Sequence, residues 1–225
     1  MCYNKEKGGD EMLKKVVRRI ILLILMLVAV TGGAVVVNGY EIYKDAVGKV
    51  PVSDKIAQIQ EKEHYTKFDQ LPQRYIDAVI AAEDRRFFKH HGFDILATGR
   101  AMWHNMEAGS LIEGGSTITQ QLARKIYLTD DKTYERKVRE IFYAMELEKK
   151  YTKDQILEFY INNVCFANAK YGIESASRAY FSKGTSELNL AEVAFLCSIP
   201  NRPETYNPLE HYDNAIKRKD RILKQ

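Results

Sequence analysis

The sequence predicts a mainly α-helical protein in which one amino-terminal transmembrane helix precedes a single helical domain. The first observation is an apolar run of about 18 residues without a charge, Ile20–Val37, which is long enough to cross a bilayer as a helix. The second is that apolar residues beyond this run recur at i, i+3 and i+4, whereas no pair of alternating strands with hairpin turn residues is evident. With 225 residues, of which 45% are hydrophobic, the chain can bury one core.

The apolar run is preceded by four cations, Lys14, Lys15, Arg18 and Arg19. The positive-inside rule therefore places residues 1–19 in the cytoplasm and everything after Asn38 outside. A cleaved signal peptide is the alternative, but the run is long for one and no A-x-A site closes it. We expect a cytoplasmic segment (1–19), a transmembrane helix (20–37), a polar and partly helical connector (38–67) and a domain (68–225).

The helices of the domain are predicted in order from apolar spacing, caps and breakers. Leu71-Pro72 opens the first, because proline suits the first helical turn, and Thr152 with Gln155 and Asn189 with Glu192 form two capping boxes. A glycine-rich loop is expected at 109–115. The predicted helices are about 72–87, 117–127, 134–151, 152–162, 171–181, 189–199 and 213–224.

Charge and cysteine content narrow the function classes. The net charge of +4 and the pI of about 8.8 are too small to predict nucleic-acid binding, but they fit an anionic membrane surface or a phosphorylated substrate. The three cysteines form no CxxC pair, so a zinc site has little support. A single Cys165–Cys197 bond is one alternative, and two buried free thiols are the favoured one.

Two adjacent acids in "AAEDRRFFKHHGFD" differ in helical phase. Glu83 falls on the apolar stripe formed by Ile76, Val79, Ile80 and Phe87, whereas Asp84 is rotated away by about 100°. A carboxylate among apolar side chains should have a raised pKa, which suits a general acid or base near neutral pH. A buried glutamate paired with Arg85, Arg86 or another base is an equally weighted alternative, and Asp84 is expected to cap or orient the turn.

The adjacent histidines of this stretch, His90 and His91, point in different directions on any regular backbone. They are therefore a poor bidentate pair for a metal, and we favour a structural histidine that fixes the turn.

The stretch "GGSTITQQLARK" (114–125) combines two glycines with a Ser/Thr cap at the start of a helix. Glycines allow close backbone approach, and the N–H groups of a helix start favour an anion. The stretch lacks the spacing of a Walker loop, and on local grounds an ordinary capped helix is the favoured interpretation.

The stretch "ERKVREIFYAMELEKK" (135–150) predicts a helix with a buried stripe of Val138, Ile141, Phe142 and Met145. Glu140 lies opposite that stripe, beside two cations at i−4 and i−3. From the pattern alone, a solvated face with helix salt bridges is favoured.

Together these stretches resemble glycosyltransferase family 51, the peptidoglycan glycosyltransferases, which include monofunctional transglycosylases and the first catalytic domain of class A penicillin-binding proteins. The first motif, E-D-x-x-F-x-x-H-x-G-F-D, matches 83–94, and G-G-S-T-I-T-Q-Q matches 114–121 without change. R-K-x-x-E matches 136–140, "KDQILEFYIN" (153–162) fits the fourth motif, and "NRPETYNP" (201–208) fits the fifth.

The resemblance implies a lysozyme-like fold with a large lobe and a smaller, membrane-associated lobe supplied largely by 95–112. It implies that lipid II is joined to a lipid-linked glycan strand by a β-1,4 bond, with inversion and release of undecaprenyl pyrophosphate, at the outer face of a bacterial cell membrane. It also implies cell-wall synthesis proteins as partners, no nucleic acid, no organic cofactor and a divalent ion (Mg²⁺ or Mn²⁺). A lytic lysozyme-like enzyme and an inactive membrane scaffold are the alternatives.

The resemblance also implies roles for individual residues. Glu83 would be the general base, and Glu140, which is also the candidate metal ligand, would assist the departing pyrophosphate. Arg202 and Asn207 would support the site from the fifth motif. The residues implied in holding the pyrophosphate and sugars are Ser116, Thr117, Gln120, Gln121, Arg124, Lys132, Arg136 and Lys137.

Some positions depart from the usual pattern of the family. Arg124 stands where lysine is common and Lys125 where asparagine is common, so charge is kept at 124 while its geometry changes. The stretch "FANAKYG" (166–172) lacks the glycines of the usual "FGxGxYG", which concerns the conformation of this loop.

Overall fold

The computed structural model describes residues 3–110, 114–128 and 133–224, with side chains from Lys14 onward together with Met12. Over these ranges the backbone is helical, and its only β features are two isolated bridges, which confirms the mainly α prediction. The helices are α1 (Tyr3–Lys49), α2 (Val52–Gln60), α3 (Gln73–Glu83), α4 (Ile95–Glu107), α5 (Ile118–Tyr127), α6 (Tyr134–Lys150), α7 (Lys153–Asn163), α8 (Ile173–Phe181), α9 (Leu190–Ser198) and α10 (Tyr212–Ile222).

The long first helix contains the predicted transmembrane run. By length and composition, α1 can cross a membrane within Lys14–Lys49, and its apolar side chains over 20–28 are exposed. Within the described residues this is the one helix that meets that test, as expected from the sequence. The helix α1 does not end with the apolar run. It continues to Lys49, and this part packs along α6.

Capping boxes form at the starts of three α-helices, of which those of α7 and α9 were predicted from the sequence, whereas only a Ser/Thr cap was expected for α5. In each, the cap side chain accepts a hydrogen bond from the third backbone N–H, and the third side chain accepts one from the cap N–H, which satisfies two otherwise unpaired donors. The pairs are Thr117 with Gln120 (α5), Thr152 with Gln155 (α7) and Asn189 with Glu192 (α9).

The core lies around α7, which is buried on several sides by α2, α5 and α8. The packing continues where α3 contacts α9 and where α9 contacts α10. Val52, Ile56 and Ile59 of α2 are buried in the same core. Residues of the range predicted as a polar connector thus contribute to the core.

The first helix of the domain is shorter than predicted. α3 ends at Glu83 rather than near Phe87, and Asp84 leaves the helix at φ −159° and ψ 79°. The expectation that Asp84 points away from the interior is wrong: its side chain is buried, accepts from Ile118 N at 3.0 Å and lies 2.9 Å from His90 Nε2. Its expected role in orienting the turn is confirmed.

The predicted buried stripe of α6 is also wrong. The helix buries Glu140, Tyr143, Ala144 and Leu147 against the core, whereas Met145 is 54% exposed. The reason is that α6 is packed on two sides. The flank with Val138 and Phe142 meets α1, and the other side meets α5 and α7.

The loop that lacks the family's glycines adopts a left-handed backbone without them. Ala167, Asn168 and Ala169 have φ of 65°, 46° and 55°, a region that disfavours side chains with a Cβ. The loop closes through Phe166 N to Lys170 O at 2.7 Å, and the amides of Asn168 and Asn207 exchange two hydrogen bonds.

We therefore predict that Ala169→Gly stabilises the protein. Ala169 is exposed, so glycine relieves the left-handed strain and loses little packing, and we expect a gain of about 1 kcal/mol, or roughly 2–4 °C in Tm. The matched control is Ala57→Gly at an exposed, right-handed position within α2, which should lower stability by a similar amount. Thermal unfolding of both variants measures the two signs, and a loss of stability in Ala169→Gly contradicts the prediction.

The cysteines follow the favoured expectation. Cys165 and Cys197 are both free thiols, with Cys197 buried and Cys165 half-buried.

Candidate active site

Glu83 lies at the end of α3 with its carboxylate turned inward. The side chain is 4% exposed, and Oε2 accepts a hydrogen bond from Gln121 Nε2 at 3.0 Å. Gln121 is itself held by Tyr160, whose hydroxyl donates to Gln121 Oε1 at 3.3 Å. Oε1 makes no hydrogen bond of good geometry among the described residues, and Arg218 Nη2 stands 3.6 Å from it. One carboxylate oxygen is thus positioned, and the other is left for a further partner.

The environment of Glu83 raises its pKa above the ordinary 4.5. Burial is the main cause and outweighs the lowering effect of Gln121, Arg218 and Asn201, while nearby Asp84 raises the pKa further. The predicted rise is therefore confirmed. A carboxylate with a raised pKa binds a proton more readily than an exposed glutamate, which suits it to proton transfer near neutral pH.

This raised pKa predicts a pH-dependent difference in stability between the wild type and Glu83→Gln. A group whose pKa is higher in the folded state stabilises the fold below its unfolded pKa, and this contribution is lost as pH rises through the folded pKa. We expect the unfolding free energy of the wild type, measured relative to Glu83→Gln in denaturant between about pH 4 and pH 8, to decrease with pH and then level off. A difference that does not change with pH contradicts the assignment.

The start of α5 is occupied by protein groups. Thr117 Oγ1 accepts from Gln120 N at 3.1 Å and donates to Gly92 O at 2.7 Å, and Gln120 Oε1 accepts from Thr117 N at 3.0 Å. Ile118 N donates to Asp84. The ordinary capped helix that the local pattern favoured is therefore confirmed. The other interpretation, an anion site formed by free N–H groups, does not hold for these three donors, since each already has an acceptor.

Thr117 and Gln120 of this stretch therefore make hydrogen bonds within the protein. Thr117 and Gln120 were expected to contact substrate, but both are buried, with Gln120 0% exposed, and their contacts belong to the helix cap. Direct contact of either with substrate stays a prediction. The expected close approach at Gly115 is confirmed, because a Cβ there would stand 2.9 Å from Thr98 Cα of α4.

Glu140 is the buried centre of a cluster of partly buried cations on α6. Its side chain is 1% exposed, Oε2 accepts from Arg136 Nη1 at 2.7 Å, and Oε1 accepts from Lys137 Nζ. Lys137 Nζ also donates to Ser116 Oγ at 2.8 Å, which ties the cluster to the loop before α5. The pattern-based expectation of a solvated face is wrong, because Glu140 faces the core side of α6.

The two acidic sites are joined through α5. Gln121 on this helix contacts Glu83, and Ser116 just before it contacts Lys137. Arg124 follows Gln121 by one turn on the same helix, is half-buried, and its Nε has no hydrogen-bond partner among the described residues. The arrangement brings a carboxylate with a raised pKa, a row of hydrogen-bonding side chains and several cations to one helix.

The remaining predicted residues fall into three groups. Lys132 lies outside the described residues. Asn207 is buried and braces the left-handed loop through Asn168, and it also accepts from Leu209 N. Arg202 lies in the turn after α9, where its carbonyl accepts from Tyr206 N. The structure therefore gives Asn207 a loop-supporting role, and a contact of Arg202 with substrate stays a prediction.

Three residues near Glu83 were missed from the sequence. Tyr160 and Asn201 belong to the fourth and fifth motif stretches, so their position in those motifs was an available signal. Arg218 lies on α10, where its guanidinium also stands 5.1 Å from the Tyr206 ring, and nothing in the local pattern of α10 distinguishes it from the other cations there.

The wall beside Glu83 is built by the first motif. His90 is buried on Asp84, and His91 is exposed, which agrees with a structural histidine rather than a metal pair. Asp94 caps α4 by accepting from Leu96 N and Ala97 N, and it also accepts from Arg86 Nε at 2.7 Å. These contacts fix the turn that follows Glu83.

The described residues fit a resident divalent metal poorly. Among them no group of three or more His, Cys, Asp or Glu side chains could hold an ion, and both oxygens of Glu140 already accept from cations. A metal at Glu140 would have to displace Arg136 or Lys137.

The sequence was compared with known proteins and with models of protein families. The family profile described as transglycosylase matches residues 52–225. Penicillin-binding protein 1F of Bacillus subtilis (strain 168) is 44% identical over 171 residues, which are 76% of this chain and 24% of that protein. Penicillin-binding protein 4 of the same organism is 39% identical over 191 residues (85% and 30%), and penicillin-binding protein 1A of Aquifex aeolicus (strain VF5) is 41% identical over 165 residues (73% and 23%).

The chain spans less than a third of the length of these relatives. The profile match covers every site residue described above and includes α2, which is buried in the same core. The chain belongs to the transglycosylase family.

Proposed function

We propose that this protein is a peptidoglycan glycosyltransferase that polymerises lipid II into glycan strands and releases undecaprenyl pyrophosphate. The observation that carries the proposal is the pair of sites joined by α5. A buried carboxylate with a raised pKa lies at one side, and its Oε1 has no hydrogen bond among the described residues and only a long ion pair with Arg218. A cluster of cations lies at the other side. Proton removal and stabilisation of a departing pyrophosphate are the two tasks of such a transfer.

In the proposed step, Glu83 acts as the general base. Its Oε1 takes the proton of the acceptor sugar's 4-hydroxyl, and that oxygen attacks the anomeric carbon of the donor. The bond from this carbon to the pyrophosphate oxygen breaks, and its electron pair leaves with the pyrophosphate. Attack from the face opposite the leaving group inverts the anomeric centre and gives the β-1,4 bond.

The cations of α5 and α6 are proposed to bind the leaving group. Arg124, Arg136 and Lys137 place positive charge where negative charge develops on the pyrophosphate, which lowers the barrier more in a partly buried site than in water. Glu140 holds Arg136 and Lys137 in place before the substrate arrives, so little reorganisation is needed during the reaction.

An exposed apolar surface on α4 supports a location at a lipid surface. Ile95, Leu96, Met102, Trp103 and Met106 are each more than half exposed, although such side chains normally avoid water. Together with the apolar run of α1, this surface supports the proposal that the domain lies against the outer face of the membrane, where a lipid-linked substrate is reached.

The proposal is tested by incubating the detergent-solubilised full chain with lipid II. Long glycan and released lipid pyrophosphate are expected. Cutting of preformed glycan without polymerisation would instead indicate the lytic alternative, and neither activity would indicate a scaffold. Because the family resemblance also implies a divalent ion, the assay is run with Mg²⁺, with Mn²⁺ and with a chelator.

A further inference from the structure

The part of α1 beyond the apolar run makes a close contact with the helix that carries Glu140. Gly39 is buried there, and a Cβ added to it would stand 2.8 Å from Val138 Cγ1. The ring of Tyr40 meets Phe142 edge to face at 5.3 Å, and the ring of Tyr43 stacks on Phe142 at 5.6 Å. We call the contact of Gly39, Tyr40 and Tyr43 with Val138 and Phe142 the anchor seam.

The anchor seam continues into the core of the domain. Tyr43 packs edge to face on Tyr143 at 5.2 Å, and Tyr143 stacks on Tyr127 of α5 at 4.2 Å. The Tyr127 hydroxyl donates to Val50 O at 2.8 Å, just past the end of α1. Aromatic packing and a hydrogen bond therefore join α1 to α6, which carries the cation cluster, and to α5 beside it. These contacts favour a rigid connection between the anchor and the domain.

The anchor seam also fixes the direction of α6. Gly39 contacts Val138, and Tyr43 contacts Phe142 and, through its hydroxyl, Glu146 Oε2 at 3.3 Å. Since both sets of residue numbers rise together, α1 and α6 run parallel. The first turn of α6, with its two cations, is therefore the end of this helix nearest the membrane.

The length of α1 then gives the height of the cation cluster. Gly39 and Tyr43 lie two and six residues past Val37, or about 3 and 9 Å along the helix axis at a rise of roughly 1.5 Å per residue. Because Gly39 lies beside Val138 and Tyr43 beside Phe142, Lys137 and Glu140 are level with positions about 1.5 and 6 Å past Val37. The headgroup layer on each side of a roughly 30 Å hydrocarbon core is about 5–8 Å thick, so the cluster lies at the height of lipid headgroups.

We propose that the anchor seam is a positioning element that holds the cation cluster of α6 at the height of a lipid-linked pyrophosphate. Gly39 and Tyr43 are its positioning residues, and they act through α6 without touching substrate. This inference rests on the proposed function and adds that the membrane anchor sets the geometry of the site in addition to tethering the domain.

The decisive variant lengthens α1 between Val37 and Asn38 by seven residues. Seven residues return the helix to nearly the same face, so the anchor seam is kept while the domain is raised by about 10 Å. With lipid II embedded in phospholipid vesicles, we expect the polymerisation rate to fall at least about tenfold, because a displacement of even 1 Å can cost a hundredfold. With a short-chain lipid pyrophosphate disaccharide dispersed in detergent, the rate should stay within about twofold of wild type, since that substrate is not held at one height.

The matched control is the same insertion between Lys14 and Lys15, on the other side of the apolar run, which should change neither rate. An unchanged rate in vesicles, or equal losses with both substrates, overturns the inference while leaving the proposed function standing. A wild-type protein that is inactive on both substrates overturns the proposed function and this inference with it.

A second test loosens the anchor seam without changing its height. Gly39→Leu should separate α1 from α6 and lower the vesicle rate selectively, whereas Gly48→Leu, on the same helix with open space around it, should not. Adding Val138→Ala to Gly39→Leu should recover part of the rate by making room. No recovery, or an equal effect of Gly48→Leu, contradicts a role for close helix contact at Gly39.

Discussion

Replacing Glu83 by glutamine should lower the rate of glycan polymerisation by about a hundredfold to ten-thousandfold, the range typical for loss of a positioned general base. Glutamine keeps the size of the side chain and can still pair with Gln121, but it cannot take a proton. Because burial raises the pKa of Glu83, the wild-type rate should rise with pH through a value above 4.5, and this limb should be missing from the residual rate of the variant. Steady-state rates with lipid II across pH measure both effects.

The control for this experiment is Asp77→Asn, an acid-to-amide change on the exposed side of the same helix. Asp77→Asn should change the polymerisation rate and the free energy of unfolding no more than a surface substitution typically does. Thermal unfolding of Glu83→Gln should show a protein at least as stable as the wild type above the raised pKa, since the amide removes a buried charge. An unchanged polymerisation rate in Glu83→Gln would contradict the assignment of Glu83 as the general base, whatever the role of the rest of the site.

The local features of the fold were predictable from the sequence because their physics is local. A capping box needs only two side chains three residues apart, and both boxes predicted from the sequence, those of α7 and α9, form. The apolar run of α1 is similarly visible in one stretch. Glu83 was placed correctly because α3 has one apolar side, so helical phase alone showed that its carboxylate turns inward.

The predictions failed for residues whose hydrogen-bond or packing partners lie in another part of the chain. Asp84 was expected to face away from the interior, but a backbone N–H of α5 and a histidine six residues on allow it to be buried. Glu140 was expected in solvent because α6 was assumed to have one buried side. The helix has two buried sides: Phe142 packs against α1, and Glu140 faces the core.

Replacing Glu140 by glutamine is expected to cost both activity and stability. The carboxylate is buried and paired with Arg136, which is 12% exposed, and with Lys137, which still reaches water. Removing one partner from a fully buried ion pair costs about 3–5 kcal/mol, and the exposure of Lys137 should reduce the loss here to about 1–3 kcal/mol. We expect the polymerisation rate to fall about a hundredfold, because the cations are no longer held beside Ser116 for the leaving group.

Two further variants separate the loss of stability from the loss of cation positioning. Glu135→Gln, an exposed acid in the first turn of the same helix, should change neither property by much. Adding Arg136→Gln to Glu140→Gln removes the buried charge left without a partner, so it should recover part of the stability, measured by denaturant unfolding, without recovering the rate. If the double variant regained activity together with stability, Glu140 would have a structural role only. Activity close to wild type in Glu140→Gln alone would show that the cations bind the pyrophosphate without being held in advance.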